Sequence, residues 1–344
     1  MRALLLVAVL LGIAPLWLSP YDLSLLGRFL AVGLAVMGVV WAWGYGGILS
    51  LGQGIFFGLG GYALAMHLKL APLAPGELPD FMVWNGVEAL PWWWAPFRSP
   101  WFALAMVLLL PSLLAFLLGY LLFRRRVSGV YFTLITQALA LAFATLLISQ
   151  QGLTGGFNGL TNFTTLFGWS FGDPGFQVGL YAATALLVLL ALAASHWLRK
   201  TSFGLVLRAV REGENRTRFL GYDPALYKGA AFALAGLLAG VGGAFFTLHA
   251  GVVSPAFVGV QPSVELVIWA ILGGRESFLG AVVASVLGGF VRDRVSSVMP
   301  DLWLYAMGVL LVLLVLAPTL WGSLPRKWRR KEVVHADASQ SGKA

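Results

Sequence analysis

Cysteine is absent from the 344-residue chain, which excludes disulfides, zinc–thiolate sites and thiol catalysis. Charge is scarce: 11% of residues are Asp, Glu, Lys or Arg, against about 25% in an ordinary soluble domain. No GxxxxGK[ST] phosphate loop occurs, so any ATP must be used by another polypeptide. No HExxH is present, which removes the common zinc-protease arrangement of an intramembrane enzyme. The four histidines, His67, His196, His249 and His335, have no ligand spacing and are read as packed or interfacial side chains.

What the chain has is apolar length. Hydrophobic residues make up 59% and mean hydropathy is +0.84, the composition of an all-α polytopic membrane protein. Apolar runs predict about ten transmembrane helices, near 3–18, 23–43, 47–70, 101–123, 127–149, 179–198, 229–250, 263–273, 279–291 and 303–320. The first resembles a signal-peptide core but lacks a small-x-small cleavage signal, so it is read as a retained span. With N- and C-termini cytoplasmic, 18 of the 23 basic residues fall on the inside, as the positive-inside rule asks. The net charge of +9 is therefore a matter of membrane topology and calls for no nucleic acid. Residues 1–322 are expected to be one transmembrane domain, and 323–344 a basic, disordered cytoplasmic tail.

The Gly44–Tyr62 stretch is unusual, because eight of its nineteen residues are glycine. Each glycine costs a helix about 1 kcal/mol relative to alanine, so these serve close helix packing, a broken helix lining a polar path, or both. Ser50 and Gln53 share one face if the segment is helical. In the fifth span Thr133, Thr136 and Gln137 share another. The Gln137 amide must find partners away from lipid, either an interhelical hydrogen bond or a solute.

Two external loops are long. The one over 71–100 contains PWWWAPF, which suits an aromatic belt or a docking surface. The other, over 150–178, contains LTGGFNGLTNF, whose Gly-Gly and Asn-Gly pairs signal tight turns. The longest cytoplasmic loop, 199–228, reads as a short amphipathic helix capped at Ser202 and stopped by Gly213 or Gly221. Its mixed charges, Arg208, Arg211, Glu212, Glu214, Arg216 and Arg218, suit a protein groove or an anionic lipid surface.

GGILSLGQGIFFGLGGYALA, GVYFTLITQALA, LTGGFNGLT, FGLVLRAVREGENRTRFLGYDPALYKGAAFALAGLLAGVGGAFF and SPAFVGVQPSVELVIWAILGGRESFLGAVVAS together resemble the LivM-type permease subunits of branched-chain amino-acid and urea ABC importers. The likeness runs from about Gly44 to the last span. TQAL at Thr136–Leu139 and LPDFMVW followed by ALPWWWAPF look closest to the urea branch.

The resemblance implies a prokaryotic cytoplasmic-membrane subunit beside a sister permease, with two ATP-binding subunits carrying ATP and Mg and an extracytoplasmic substrate-binding protein. No cofactor is expected on this chain. The 199–228 loop is similar to the coupling segment that docks on an ATPase, with Arg208, Arg211, Glu212, Glu214 and Gly221 as expected coupling residues. Counted back from Gly221, positions that are small in related loops hold Asn215, Arg216 and Thr217. Ser50, Gln53, Thr133, Thr136, Gln137 and Asn158 are the expected substrate path, for urea or a short amide. A branched-chain amino acid is the alternative cargo. A stand-alone secondary transporter or channel is an alternative of another class, one that would call for intramembrane carboxylates or a charged filter.

Overall fold

The computed structural model describes residues 2–74 and 76–322; the expected 323–344 tail lies outside them. A helix occupies each of the ten apolar stretches. In chain order the helices are α1 (Arg2–Trp17), α2 (Pro20–Val39), α3 (Gln53–Leu70), α4 (Asp80–Trp84), α5 (Pro100–Arg124), α6 (Val130–Ser149), α7 (Gln151–Thr154), α8 (Pro174–Leu198), α9 (Ser202–Glu212), α10 (Glu214–Phe219), α11 (Pro224–Ala250), α12 (Val260–Leu272), α13 (Phe278–Val298) and α14 (Pro300–Gly322). A π-helical segment, Val40–Tyr45, prolongs α2.

Five of these helices, among the described residues, are long and apolar enough to cross a membrane: Pro20–Tyr45, α5, α6, α8 and α11. α3 differs because protein encloses nearly all of it. A helix without a lipid-facing side can carry glycine, histidine and lysine in place of leucine.

Three helices start on the same device. Ser19, Asp173 and Asp223 cap α2, α8 and α11 by accepting from the backbone N–H two or three residues on, and a proline follows each cap. The cap satisfies an orphan N–H, and proline at the first helical position gives up a donor that has no partner there anyway. These starts precede the expected ones by three to five residues, because the Ser-Pro and Asp-Pro signals lie outside the apolar runs.

The chain divides into two compact units at Val291 and Arg292. In the first, α11 is the central helix, packed against α2, α3 and α5. Close approach is made by small residues. A methyl on Gly60 would strike the Gly240 carbonyl, one on Gly243 the Phe57 carbonyl, and one on Gly242 the Ala31 carbonyl. Backbones this near gain dispersion contacts that a leucine interface forgoes. The second unit carries the last turns of α13, together with α14.

Small β elements tie the connections. β1 (Leu160–Thr161) pairs antiparallel with β4 (Val252–Val253), anchoring the loop after α7 beside the end of α11. β2 (Thr165–Leu166) pairs with β3 (Trp169–Ser170). Phe167 and Gly168 turn this hairpin, both at positive φ, as a two-residue primed turn requires.

Candidate functional site

α3 does not begin at residue 47. The chain leaves the π-helical segment at Tyr45 and runs without regular structure until Gln53. Gly47 takes φ +70°, a conformation open to glycine at little cost. Gly52 and Gly54 pack so that an added methyl would meet the Thr136 and Val258 carbonyls. A broken helix at membrane depth must satisfy its freed backbone groups within protein.

Here hydroxyls do so. Thr133 Oγ1 donates to the Leu49 carbonyl at 2.8 Å, Leu51 N donates to Thr136 Oγ1 at 3.2 Å, and Gly52 N donates to Ser50 Oγ at 3.2 Å. Gly54 N donates to Ser263 Oγ at 2.9 Å. Four of the expected path residues, Ser50, Gln53, Thr133 and Thr136, thus meet at one break, joined by Ser263 from α12, which sequence reasoning missed.

Gln53 stands apart from this arrangement. Its side chain is 1% exposed, yet neither Oε1 nor Nε2 has a hydrogen-bond partner. An unmet buried polar group costs about 1–3 kcal/mol, and a site that holds one is ready to receive a polar ligand. Gln137 lies half-buried one residue beyond Thr136. Asn158 is placed elsewhere: it lies in a pocket with Lys69, at the opposite end of α3, and does not join the break.

The side of the molecule carrying α9 and α10 forms a second cluster. Gly213 ends α9 and Gly221, at φ +90°, follows α10, so both expected stops are used. The cap position is Thr201, not Ser202, which is the first helical residue; Thr201 Oγ1 donates back to the Leu198 carbonyl at 2.7 Å. Val206, Leu207 and Val210 are buried, whereas Leu205 is exposed.

Arg208 and Arg211, expected to face a partner, turn toward the membrane helices. Arg211 Nη1 donates to the Gly44 carbonyl and pairs with Glu276 Oε1 at 2.6 Å. The Arg208 guanidinium lies 4.7 Å from the Tyr45 ring centroid, and that of Arg275 lies 4.4 Å from the Trp43 ring. A hydrogen bond from Arg211, joined by the nearby positive charges, holds the Glu276 carboxyl below the ordinary carboxylate range against its partial burial. Burial and then the neighbouring Arg211 lower Arg275, while Glu276 opposes that shift.

Glu276 and Arg275 sit in the GGRES turn between α12 and α13, where the apolar runs near 263–273 and 279–291 are separated. Of the remaining expected coupling residues, Glu214 binds Lys228 at 2.5 Å and Arg218 at 3.4 Å, and Glu212 is exposed. An apolar surface follows them: Phe219, Leu220, Tyr222 and Leu226 are all exposed.

His67 and His249 are packed side chains. The His67 ring shares a hydrogen bond with the Phe97 carbonyl at 2.9 Å, and the His249 ring with Thr184 Oγ1 at 2.8 Å. A cavity of about 390 Å³ bounded by α3, α5, α8, α11 and the β2–β3 hairpin is walled mainly by carbon, through side chains such as Leu64, Leu104 and Phe176. It suits hydrocarbon better than a polar solute.

Residues 22–317 match the family described as the branched-chain amino acid transport system / permease component. The chain belongs to this family. It is similar to the high-affinity branched-chain amino acid transport system permease protein LivM of Salmonella typhimurium, at 27% identity over 86% of this chain and 68% of the relative. The LivM protein of Escherichia coli K12 is 28% identical over the same shares. A shorter likeness, 34% identity over 30% of this chain and 32% of the relative, links it to the nucleoside ABC transporter permease protein NupC of Lactococcus lactis. No solved structure matches. As a member of this permease family with several apolar helices, the chain is a multi-pass protein of the prokaryotic inner membrane.

Proposed function

We propose that this permease is one membrane-spanning subunit of an ABC importer, and that urea or a short amide is its cargo. ATP hydrolysed on separate subunits supplies the energy, and an extracytoplasmic binding protein delivers the solute. In this reading the chain crosses the membrane at each of the ten apolar stretches, the shorter ones included, with both termini and the α9–α10 segment on the cytoplasmic side. A sister permease completes the path. The exposed surface from Phe219 to Leu226 receives an ATP-binding subunit, for apolar residues left in water are a common mark of an interface.

The observation that carries the cargo reading is the Gln53 amide, buried without a partner beside the hydroxyls of Ser50 and Thr136. Urea is neutral and planar and offers donors and acceptors together, so it satisfies such an amide without introducing a charge. Leu51 N, Gly52 N and Gly54 N donate to hydroxyls, those of Thr136, Ser50 and Ser263. A zwitterion would want complements for both its charges.

A branched-chain amino acid is the second reading, favoured by the names of the LivM relatives. Uptake of labelled urea and labelled leucine by the full complex in proteoliposomes separates the two. ATP-dependent urea accumulation that excess leucine leaves unchanged is the expected result, and leucine accumulation without urea uptake would overturn it.

A further inference from the structure

At the Leu70 end of α3 the two long connections, 71–100 and 150–173, pack on one another: Gly152 lies against Val87 and Asn85. Between them is a polar cavity of about 240 Å³. It is separated from Gln53 by the length of α3, about 26 Å at 1.5 Å per residue.

The charges in this cavity are already matched. Lys69, 9% exposed, donates to both oxygens of Asp80 at 2.9 and 3.0 Å, and Asp80 Oδ1 also accepts from Phe81 N at 2.9 Å. What stays open is amide capacity. Asn85 spends its Nδ2 on the Phe81 carbonyl at 2.7 Å, leaving its oxygen, and the side chains of Gln151 and Asn158 bond to none of the described residues. The exposed rings of Trp84 and Phe157 complete the wall.

We infer that this cavity is an entry subsite for a small uncharged amide, occupied before the solute reaches the break at Gln53. An ammonium or carboxylate would have to compete with the closed Lys69–Asp80 pair. A neutral solute with donors and acceptors bonds to the free amides as they stand, and a planar one lies flat on an aromatic face. The inference rests on the proposed importer reading and adds to it a second binding place and a preference for neutral solutes.

The test uses the absence of cysteine from this chain. Asn158→Cys and Gln151→Cys each supply one thiol, and Glu88→Cys, exposed on the same connection but outside the cavity, is the control. In the purified full complex, labelling by a small maleimide is followed on this chain by mass spectrometry, with urea, acetamide or leucine present. Urea and acetamide should slow labelling at 158 and 151, about fourfold at three times the half-protecting concentration, and leave 88 unchanged. Absence of protection, or equal protection by leucine, overturns the subsite. Unprotected cysteines in a complex that still transports urea sink the subsite alone. Protection in a complex that fails to transport urea keeps the subsite and sinks the importer reading.

Discussion

Arg211, near the end of α9, donates to the carbonyl oxygen of Gly44, in the π-helical segment that leads into the break before α3. Its guanidinium also holds Glu276. One side chain therefore ties the amphipathic segment to the turn between α12 and α13 and to the strand of backbone carrying Ser50 and Gln53. A push on α9 is passed through it to the break, provided these elements have two packings to move between. Arg211→Ala should leave the ATP-binding subunits attached and still hydrolysing, while uptake drops about tenfold, a coupling loss of about 1.4 kcal/mol. Co-purification, ATPase rate and transport measured on one preparation check this. Loss of the ATPase subunits would return Arg211 to the docking surface.

The same contact makes the coupling sensitive to acid. The Glu276 carboxyl has its folded-state pKa lowered, chiefly by the hydrogen bond from Arg211. A lowered carboxylate pKa contributes stability that is present above the ordinary carboxylate range and is lost as pH falls through the lowered value. Uptake per ATP should therefore hold at neutral pH and decline only in acid below that range. Glu276→Gln should remove the acid limb and show reduced coupling at every pH. Glu276 is about half exposed, so salt should weaken the effect. Transport-to-hydrolysis ratios across a pH series, at low and high ionic strength, provide the measurement.

Gln53 gives the sharpest separation of stability from function. Its amide is buried and unbonded, so Gln53→Leu removes an unmet polar group of about 1–3 kcal/mol and should leave Tm unchanged or raised. Uptake should disappear. Thr136→Val behaves in the opposite sense, since it strips the acceptor from Leu51 N and should lower stability by about 1 kcal/mol. Melting curves and solute uptake for both variants test the pair. Normal uptake by Gln53→Leu would take that residue out of the path.

Much of this arrangement was legible in the sequence, and the omissions have physical causes. Apolar length located the helices because lipid demands it. It placed the start of α3 six residues early, since the run through Ile48, Leu49 and Leu51 is as apolar as a helix while Gly46, Gly47 and Gly52 interrupt it. The faces of Thr133 and Thr136 followed from helical spacing. Their partners, the backbone atoms of Leu49 and Leu51, belong to a segment 84 and 85 residues away, and no local pattern reveals such a pairing. Asn158 was placed on the expected substrate path; the pairing of β1 with β4 carries it to the other end of α3, away from the break. Arg208 and Arg211 were assigned to a partner groove or a lipid surface from the mixed charges of their loop and its likeness to a coupling segment, whereas here Tyr45 and Glu276 draw both inward.

Glycine carries the last prediction, because the same substitution should have opposite signs at two positions. A methyl at Gly60 would meet the Gly240 carbonyl, and backbone cannot swing aside as a side chain can. Gly60→Ala must push α3 from α11, at a cost of about 1–3 kcal/mol for overpacking. That displacement would also disturb the break at the start of α3. Gly12, in α1, has nothing within 4 Å of an added methyl, so Gly12→Ala gains helix propensity of up to about 1 kcal/mol. Melting temperatures in one detergent should move down for the first variant and level or up for the second, with uptake impaired only in the first. If both substitutions are neutral, the α3–α11 contact is looser than the close backbone approach of Gly60 to Gly240 requires.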